Sequence, residues 1–275
     1  MTGIPAITLN DGVAIPQLGF GVFQVPGAET QAAVSTALET GYRSIDTASA
    51  YGNEAGVGRA IAASGLLRDE LFVTTKLWVT DFGRTSPRDA LRRSLDALGL
   101  DQIDLYLIHW PAPATEAYLE TWQALEELRA EKLTRSIGVS NFLPEHLDRV
   151  VALGGAVPSV NQIELHPALQ NRGTVAANTA HGIVTEAWSP LAQGAVLGAA
   201  PVVTAAREHG VTPAQVVLRW HLQQGRVVIP KSVTPARVAA NLDVFGFDLT
   251  PTELAAIDAL ENDGRTGPHP ASFNG

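Results

Sequence analysis

Four residues that can carry or share a proton stand at or near the ends of apolar segments in the first half of the chain. Asp46 ends YRSID, Lys76 follows LFVTT, and His109 follows IDLYLI. An ammonium ion at such a position is partly desolvated and needs an anionic partner, which Asp46 can supply. Tyr51 lies five residues past Asp46. Because an adjacent ammonium lowers the pKa of a phenol, we expect Lys76 to bring the pKa of Tyr51 toward neutral pH. A phenol with such a pKa is a general acid for a carbonyl oxygen.

These residues also have purely structural interpretations. Asp46 and Lys76 can form an ion pair that only stabilises the fold, since perturbed pairs are not always catalytic. His109 can be a hydrogen-bonded histidine of the core. The position of Tyr51 near this pair favours the catalytic interpretation. His109, placed opposite Tyr51, would orient or polarise the same carbonyl group.

A second set of polar and aromatic residues suits a nicotinamide ring. Asn141 and Gln162 offer paired amide donors and acceptors of the kind that recognise a carboxamide, and loop capping is the alternative. Trp188 offers a flat face for an aromatic ring, although tryptophans more often fill cores.

A third set, in IPKSVTPARVAANL, suits a phosphate. Lys231, Ser232, Thr234 and Arg237 span the end of one apolar segment and the start of a helical one. Backbone N–H groups at a helix start and nearby cations together hold phosphate, so the segment fits an adenosine 2′-phosphate. A solvated helix start is the alternative interpretation, above all for Arg237 alone.

The elements that must position these residues alternate between apolar runs and amphipathic segments. Strands are predicted for LGFGVF from Leu18, YRSIDTA from Tyr42, LFVTTKLW from Leu71, IDLYLIHW from Ile103, TRSIGVSN from Thr134, SVNQIEL from Ser159, IVTEAWSP from Ile183 and VVIPKSV from Val227. Between them the periodicity predicts helices. In PRDALRRSLDALGL, for example, Leu91, Leu95 and Leu98 recur at helical spacing before Gly99.

Eight apolar strands, each followed by a helix, predict a (β/α)8 TIM barrel in one domain over residues 1–275. Catalytic groups lie at the carboxyl ends of the strands in such barrels, so the polar strand ends converge on one mouth. ITLNDGVAIP predicts an N-terminal β-hairpin at the barrel bottom, and residues 262–275 predict an irregular C-terminal loop. An open dinucleotide-binding sheet is disfavoured because the run from Gly19 to Gln24 lacks a third glycine.

Composition excludes several classes of protein. The chain has no cysteine, which excludes disulfides and thiolate chemistry. Its formal net charge of -9 disfavours nucleic acids and anionic membranes as partners. No run of 18 apolar residues and no secretory signal is readable, so we expect a cytoplasmic protein, and we expect it to be a monomer. No metal is expected, since Glu164 and His166, the nearest candidate ligands, show no metal-binding spacing.

The whole chain resembles the aldo-keto reductase superfamily, with a further likeness to bacterial 2,5-diketo-D-gluconate reductases. The superfamily resemblance is carried by GYRSIDTASAYGNEAGVGRAI, TTKLW, LIHWP, LTRSIGVSNF and IPKSVTPARVAANL. The further likeness is carried by VNQIELHP, TPAQVVLRWHLQ and DVFGFDLTPTELAAIDAL. It implies a catalytic tetrad of Asp46, Tyr51, Lys76 and His109, and NADPH as the hydride donor, its nicotinamide stacked on Trp188. The implied cofactor-binding residues are Ser140, Asn141, Gln162, Trp188, Ser189, Lys231, Ser232, Val233, Thr234, Arg237 and Asn241. The implied substrate pocket consists of Phe23, Ala48, Trp78, His109, Trp110 and Gln193.

The resemblance has departures, and other functions stay open beside it. Ala240 stands where many relatives carry glutamate before the adenine-contacting asparagine, which implies a looser hold on the adenine. The segment after His109 and the C-terminal tail are both short, which indicates a small or polar carbonyl substrate such as a sugar ketoacid or a methylglyoxal-like aldehyde. One alternative is a catalytically weak, cofactor-binding member of the fold with an accessory or structural function. A barrel aldolase that uses Lys76 as a Schiff-base nucleophile and a metal-dependent hydrolase are others.

Overall fold

The barrel wall is a sheet of eight parallel strands in a computed structural model that describes residues 3–275. In chain order the strands are β3 (Phe20–Gly21), β4 (Ser44–Asp46), β5 (Phe72–Leu77), β6 (Ile103–Ile108), β7 (Thr134–Ser140), β8 (Val160–Glu164), β9 (Val184–Trp188) and β10 (Val227–Val228), after the hairpin strands β1 (Ala6–Thr8) and β2 (Ala14–Pro16). Each strand of the wall pairs with its neighbour in sequence. Leu18 bridges Val228 in parallel, and the Gly19 amide donates to the Val228 carbonyl at 2.8 Å, so the sheet closes on itself.

The predicted (β/α)8 barrel is therefore confirmed, although several strands are shorter than the apolar runs that predicted them. The first and last strands keep two residues each. Their neighbouring residues still make hydrogen bonds across the closure, since the Gly21 amide donates to the Pro230 carbonyl at 3.2 Å. The carboxyl ends of these runs bend into the loops of the barrel mouth, where the ladder stops.

Helices cover the outer face of the wall. They are α1 (Gly27–Thr40), α2 (Glu54–Ala63), α3 (Ser86–Leu98), α4 (Tyr118–Ala130), α5 (Pro144–Val151), α6 (Arg172–Ala180), α7 (Ala200–His209), α8 (Pro213–Gln223), α9 (Pro235–Leu242) and α10 (Pro251–Asp258). In α3 the leucines at helical spacing are buried, and the helix ends at Gly99 with φ of 66°, a left-handed conformation that glycine adopts without a steric cost. Among residues 3–275, no helix combines the length and the apolar character needed to cross a membrane.

The N-terminal hairpin closes the end of the barrel opposite the mouth, as predicted. Strands β1 and β2 pair antiparallel with Ile7 opposite Ile15. Ile15 and Leu9 pack in one apolar cluster with Phe72 and Val160, which begin their strands. Because this end is sealed by apolar packing, the polar strand ends at the other rim are the accessible part of the barrel.

Candidate active site

Lys76 is the centre of a buried contact network at the barrel mouth. Its Nζ atom donates to Asp46 Oδ1 at 2.6 Å and to the Thr47 carbonyl at 2.9 Å, and it lies 3.5 Å from the Tyr51 hydroxyl oxygen. Lys76 has no exposed surface and Asp46 is 3% exposed. Asp46 and Lys76 belong to the adjacent strands β4 and β5, and a short 3-10 turn, Ser49–Tyr51, carries the tyrosine back over them.

Burial and charge decide which of these groups hold protons. Burial lowers the pKa of Lys76, but the Asp46 carboxylate and Tyr51 raise it, so that it lies above its ordinary value and the ammonium stays charged. Burial raises the pKa of Tyr51, Lys76 lowers it, and Asp46 raises it again, so that it also lies above its ordinary value. The predicted net lowering of the Tyr51 pKa is thus wrong, because desolvation of the phenolate outweighs the ammonium. At neutral pH the phenol keeps its proton.

The imidazole of His109 stands beside the phenol in its neutral form. The two ring centroids lie 5.6 Å apart in an edge-on arrangement, and Trp78 packs against the other side of His109 at 5.1 Å. Burial, with a further contribution from Lys76, holds the pKa of His109 well below its usual range. Its Nδ1 atom is buried and has no hydrogen-bond partner within residues 3–275, which favours the tautomer with the proton on the accessible Nε2 atom. Neutral His109 can therefore donate a hydrogen bond into the mouth.

Asn141 connects the histidine to the tryptophan. It has φ of 63°, and its Nδ2 atom donates to the His109 carbonyl at 2.9 Å and to Ser140 Oγ at 3.1 Å. Its Oδ1 atom accepts from Trp188 Nε1 at 2.9 Å. Both N–H bonds of the Asn141 amide are thus used inside the protein, and its oxygen fixes the half-buried indole ring.

Gln162 joins the same region from strand β8. Its Nε2 atom donates to Asp46 Oδ2 at 2.8 Å and to Glu186 Oε2 at 2.9 Å. Its Oε1 atom makes no hydrogen bond within residues 3–275 and is not sealed from the mouth, so this oxygen can accept from a bound carboxamide. Ser189 follows Trp188 with φ of 47°, which turns the chain away from the strand at this rim.

The phosphate-side residues surround the start of helix α9. Ser232 is buried, and its Oγ atom accepts from the Thr234 amide at 3.1 Å. Lys231, Val233, Thr234 and Arg237 are exposed, and Asn241 is buried in the last turn of α9. Neither Lys231 nor Arg237 forms an ion pair with another residue of the described chain. Two uncommitted cations beside the N-terminus of a helix can hold a phosphate.

Apart from Gln193, the predicted substrate residues lie around the tetrad, and the aromatic ones among them form a wall. Phe23 is 50% exposed and its ring lies 5.0 Å from that of Tyr51, while buried Ala48 begins the Ser49–Tyr51 turn. The Trp78 ring lies against His109. Gln193 is exposed in the turn Ala192–Gly194 after β9, and no side-chain hydrogen bond within residues 3–275 links it to the tetrad.

The C-terminal tail contributes a residue that sequence reasoning missed. Phe273 lies 4.5 Å from Trp110 and 6.1 Å from Trp78, ring centroid to ring centroid, and completes the aromatic wall. No periodic pattern marks a loop residue for such a contact, although an aromatic side chain in an otherwise polar tail was a usable signal.

Glu164 holds this tail by hydrogen bonds, and these bonds account for the Glu164 and His166 side chains that were considered as metal ligands. Its Oε1 atom accepts from the Thr266 amide at 2.6 Å and from His166 Nε2 at 3.2 Å, and its Oε2 atom accepts from the Gly267 amide at 3.0 Å. Gly267 is pressed against Trp188, since a Cβ atom there would lie 2.5 Å from the indole edge. Residues 3–275 hold no group of three or more side chains suited to bind a metal.

Comparison with known proteins agrees with this geometry. The model of the Aldo/keto reductase family matches residues 17–262. An aldo-keto reductase of Mycolicibacterium smegmatis is 52% identical over 98% of both chains, and the methylglyoxal reductase DkgA of Escherichia coli is 51% identical over 100% of both. The crystal structure of a mutant of Gox0644 in complex with NADPH superposes with a TM-score of 0.95 at 47% identity, covering 98% of this chain and 99% of that one. This chain therefore belongs to the aldo/keto reductase family, a family of oxidoreductases.

Proposed function

We propose that this protein reduces a small aldehyde or ketone to the alcohol with NADPH, and that Tyr51 gives the proton. The observation that carries the proposal is the placement of Lys76 Nζ between Asp46 Oδ1, at 2.6 Å, and the Tyr51 hydroxyl, at 3.5 Å, at the one open rim of the barrel. The phenol holds its proton at neutral pH, and a charged ammonium stands ready to stabilise the phenolate that proton donation leaves behind.

The residues of this chain divide the work at the carbonyl oxygen. Neutral His109, with its proton on Nε2, donates a hydrogen bond that orients the oxygen toward Tyr51. Asp46 keeps Lys76 charged and fixed, since its other oxygen is held by Gln162. The aromatic wall of Trp78, Trp110 and Phe273 excludes water from the same point.

The residues at the mouth fit NADPH. The free Oε1 atom of Gln162 would accept from the carboxamide, the indole of Trp188 would offer its face to the ring, and Lys231, Ser232 and Arg237 would hold a phosphate. A related structure with NADPH bound, 47% identical in sequence, supports this choice of cofactor. When bound, NADPH supplies the hydride for the carbonyl carbon.

The aldolase alternative is disfavoured by the state of Lys76. A Schiff-base nucleophile has to lose its proton, whereas Asp46 and Tyr51 raise the pKa of this lysine above its ordinary value despite burial. The short segment after His109 and the names of the methylglyoxal reductases among the relatives favour a small substrate. A methylglyoxal-like aldehyde or a sugar ketoacid such as 2,5-diketo-D-gluconate is the proposed substrate class.

A kinetic panel tests the proposal. The loss of NADPH absorbance is followed with methylglyoxal, 2,5-diketo-D-gluconate, benzaldehyde and a steroid ketone, and each is repeated with NADH. Turnover highest with the two small polar carbonyls supports the proposal. A flat signal with every compound, in a protein that still binds NADPH, identifies a cofactor-binding protein without activity, and preference for the steroid contradicts the substrate class.

Replacement of Arg237 with alanine tests the phosphate side. We expect Arg237→Ala to weaken NADPH binding by about 10- to 100-fold, the scale of one lost hydrogen bond to a charged group, and to leave NADH binding nearly unchanged because NADH has no 2′-phosphate. Isothermal titration with both cofactors measures the difference. Arg207→Ala, on the exposed face of α7, is the matched control and should leave both affinities unchanged. Equal losses for the two cofactors in Arg237→Ala would move the phosphate pocket elsewhere.

A further inference from the structure

Glu186 is a buried carboxyl that the proposed reaction does not use, although it is linked to the tetrad. It lies in β9, is 1% exposed, and accepts from Gln162 Nε2 at 2.9 Å. The same Nε2 atom donates to Asp46 Oδ2 at 2.8 Å, and the other oxygen of Asp46 accepts from Lys76. A continuous chain of hydrogen bonds therefore runs from Glu186 through Gln162 and Asp46 to Lys76, with Tyr51 at its end.

The bridging amide can serve both carboxyl groups only if each accepts one of its two protons. An Nε2 amide group has two N–H bonds, and both are committed here, one to Asp46 and one to Glu186. This fixes the plane of the Gln162 amide and leaves its Oε1 atom turned away from the two carboxyl groups. Glu186 thus controls the orientation of the oxygen that is proposed to meet the nicotinamide carboxamide.

Glu186 also carries charge into the barrel interior. The ionisable groups that act on it are Asp46 on β4 and Lys76 on β5, while its ladder partner on β10 is the apolar Val227. Burial and the neighbouring Asp46 carboxylate raise the pKa of Glu186 to about 7. Its charge in turn raises the pKa values of Tyr51 and Lys76. Glu186 therefore gains or loses its charge near neutral pH.

We propose that Glu186 is a positioning residue of the reductase site, which orients Gln162 toward the cofactor and, when ionised, adds a negative charge to the network that holds Lys76 and Tyr51. The inference rests on the proposed action of Tyr51 as proton donor. Glu186 is 1% exposed and lies behind Gln162, so it acts through Gln162 and through its electric field. An inward-facing carboxyl on this strand also accounts for the glutamate in IVTEAW, which apolar packing of a barrel interior would otherwise exclude.

Two substitutions separate the orienting effect from the charge. Glu186→Gln keeps an acceptor for Gln162 and removes the charge, whereas Glu186→Leu removes both. In both variants the alkaline limb of the pH profile of kcat/KM, measured for methylglyoxal with NADPH, should shift to lower pH by roughly one unit. NADPH binding should weaken only in Glu186→Leu, by about tenfold.

Asp104→Asn is the control for this experiment. Asp104 is a buried carboxyl at the opposite end of the barrel, where it pairs with Arg68 and Arg135. Its replacement is expected to lower stability and leave the alkaline limb in place. If the alkaline limb does not shift in Glu186→Gln, the proposed effect of the Glu186 charge is wrong. If the NADPH affinity is unchanged in Glu186→Leu, the proposed orienting effect is wrong. An equal limb shift in Asp104→Asn overturns the assignment to Glu186.

A stability measurement tests the charge of Glu186 without an activity assay. The pKa of folded Glu186, about 7, lies above its ordinary value of 4.5. Between these two pH values the folded chain holds more protons than the unfolded chain, so the wild type loses stability as the pH rises through this window. Glu186→Gln lacks that loss. Urea unfolding should therefore show that the free energy of unfolding of the variant, relative to that of the wild type, is higher at pH 8 than at pH 5.

The two measurements keep this inference apart from the proposed function. A wild type that reduces none of the carbonyls refutes the function, and urea unfolding then still tests the buried charge of Glu186. A difference in stability between variant and wild type that is the same at both pH values overturns the inference, even when the carbonyl panel succeeds.

Discussion

Tyr51→Phe is expected to lower kcat by about two to four orders of magnitude, the usual scale for a positioned proton donor. The ring keeps its contact with Phe23 and His109, while the oxygen that lies 3.5 Å from Lys76 Nζ is lost. NADPH binding should remain within a few-fold of the wild type, because none of the proposed cofactor contacts uses the phenol. Single-turnover reduction of methylglyoxal and fluorescence titration with NADPH measure the two quantities separately.

Tyr118→Phe is the matched control for this prediction. Tyr118 lies at the start of α4 against Phe142 and His146, away from the tetrad. Its loss should leave turnover unchanged. Near-normal turnover in Tyr51→Phe would remove Tyr51 from the mechanism and with it the proposed function of the Lys76 contact.

Lys76→Met should abolish turnover and also destabilise the fold by about 3–5 kcal/mol, the cost of leaving a buried partner charge uncompensated. Asp46 is 3% exposed, and without the ammonium its carboxylate keeps only the hydrogen bond from Gln162 among residues 3–275. The contribution of the pair to stability persists through neutral pH, since the pKa of folded Lys76 is raised and the charge is lost only under more alkaline conditions. Urea unfolding at neutral pH measures the change.

The double variant Asp46→Asn, Lys76→Met distinguishes the two consequences. A neutral amide next to a methionine leaves no buried charge at these two positions, so much of the lost stability should return. Turnover should stay absent, because no ammonium stands beside Tyr51. If the double variant is as unstable as Lys76→Met, an uncompensated Asp46 is not the cause; if it regains activity, the ammonium is not needed.

Much of the fold was predictable because its signals are local. Each apolar run of the barrel wall was visible as a strand, and the leucines of α3 followed by Gly99 defined a helix with its end. The hairpin at Asn10–Gly12 was equally local. Strand ends were predicted less well, since the register of neighbouring strands decides where a ladder stops, as at β3 and β10. A single domain over residues 1–275, a monomer and a cytoplasmic location stay predictions.

The candidate site was predictable in its membership and less so in its chemistry. The tetrad residues do lie together, because carboxyl ends of parallel strands meet at one rim. The direction of the Tyr51 pKa was predicted wrongly, since burial of the phenol depends on the residues packed around it. The internal commitment of Asn141 to Trp188 and the approach of Phe273 were likewise invisible, because both join parts of the chain far apart in sequence.

The amino-acid sequence by itself determined the alternation of strands and helices, and it thereby determined that Asp46, Lys76 and His109 would face one mouth. Periodicity and strand polarity are properties of short segments, so they are readable without a fold. Only the tertiary structure decided which proton each group holds and how Gln162 links Glu186 to Asp46. Burial and hydrogen-bond partners arise when distant segments pack together, and they set the free energy of every charge in the barrel.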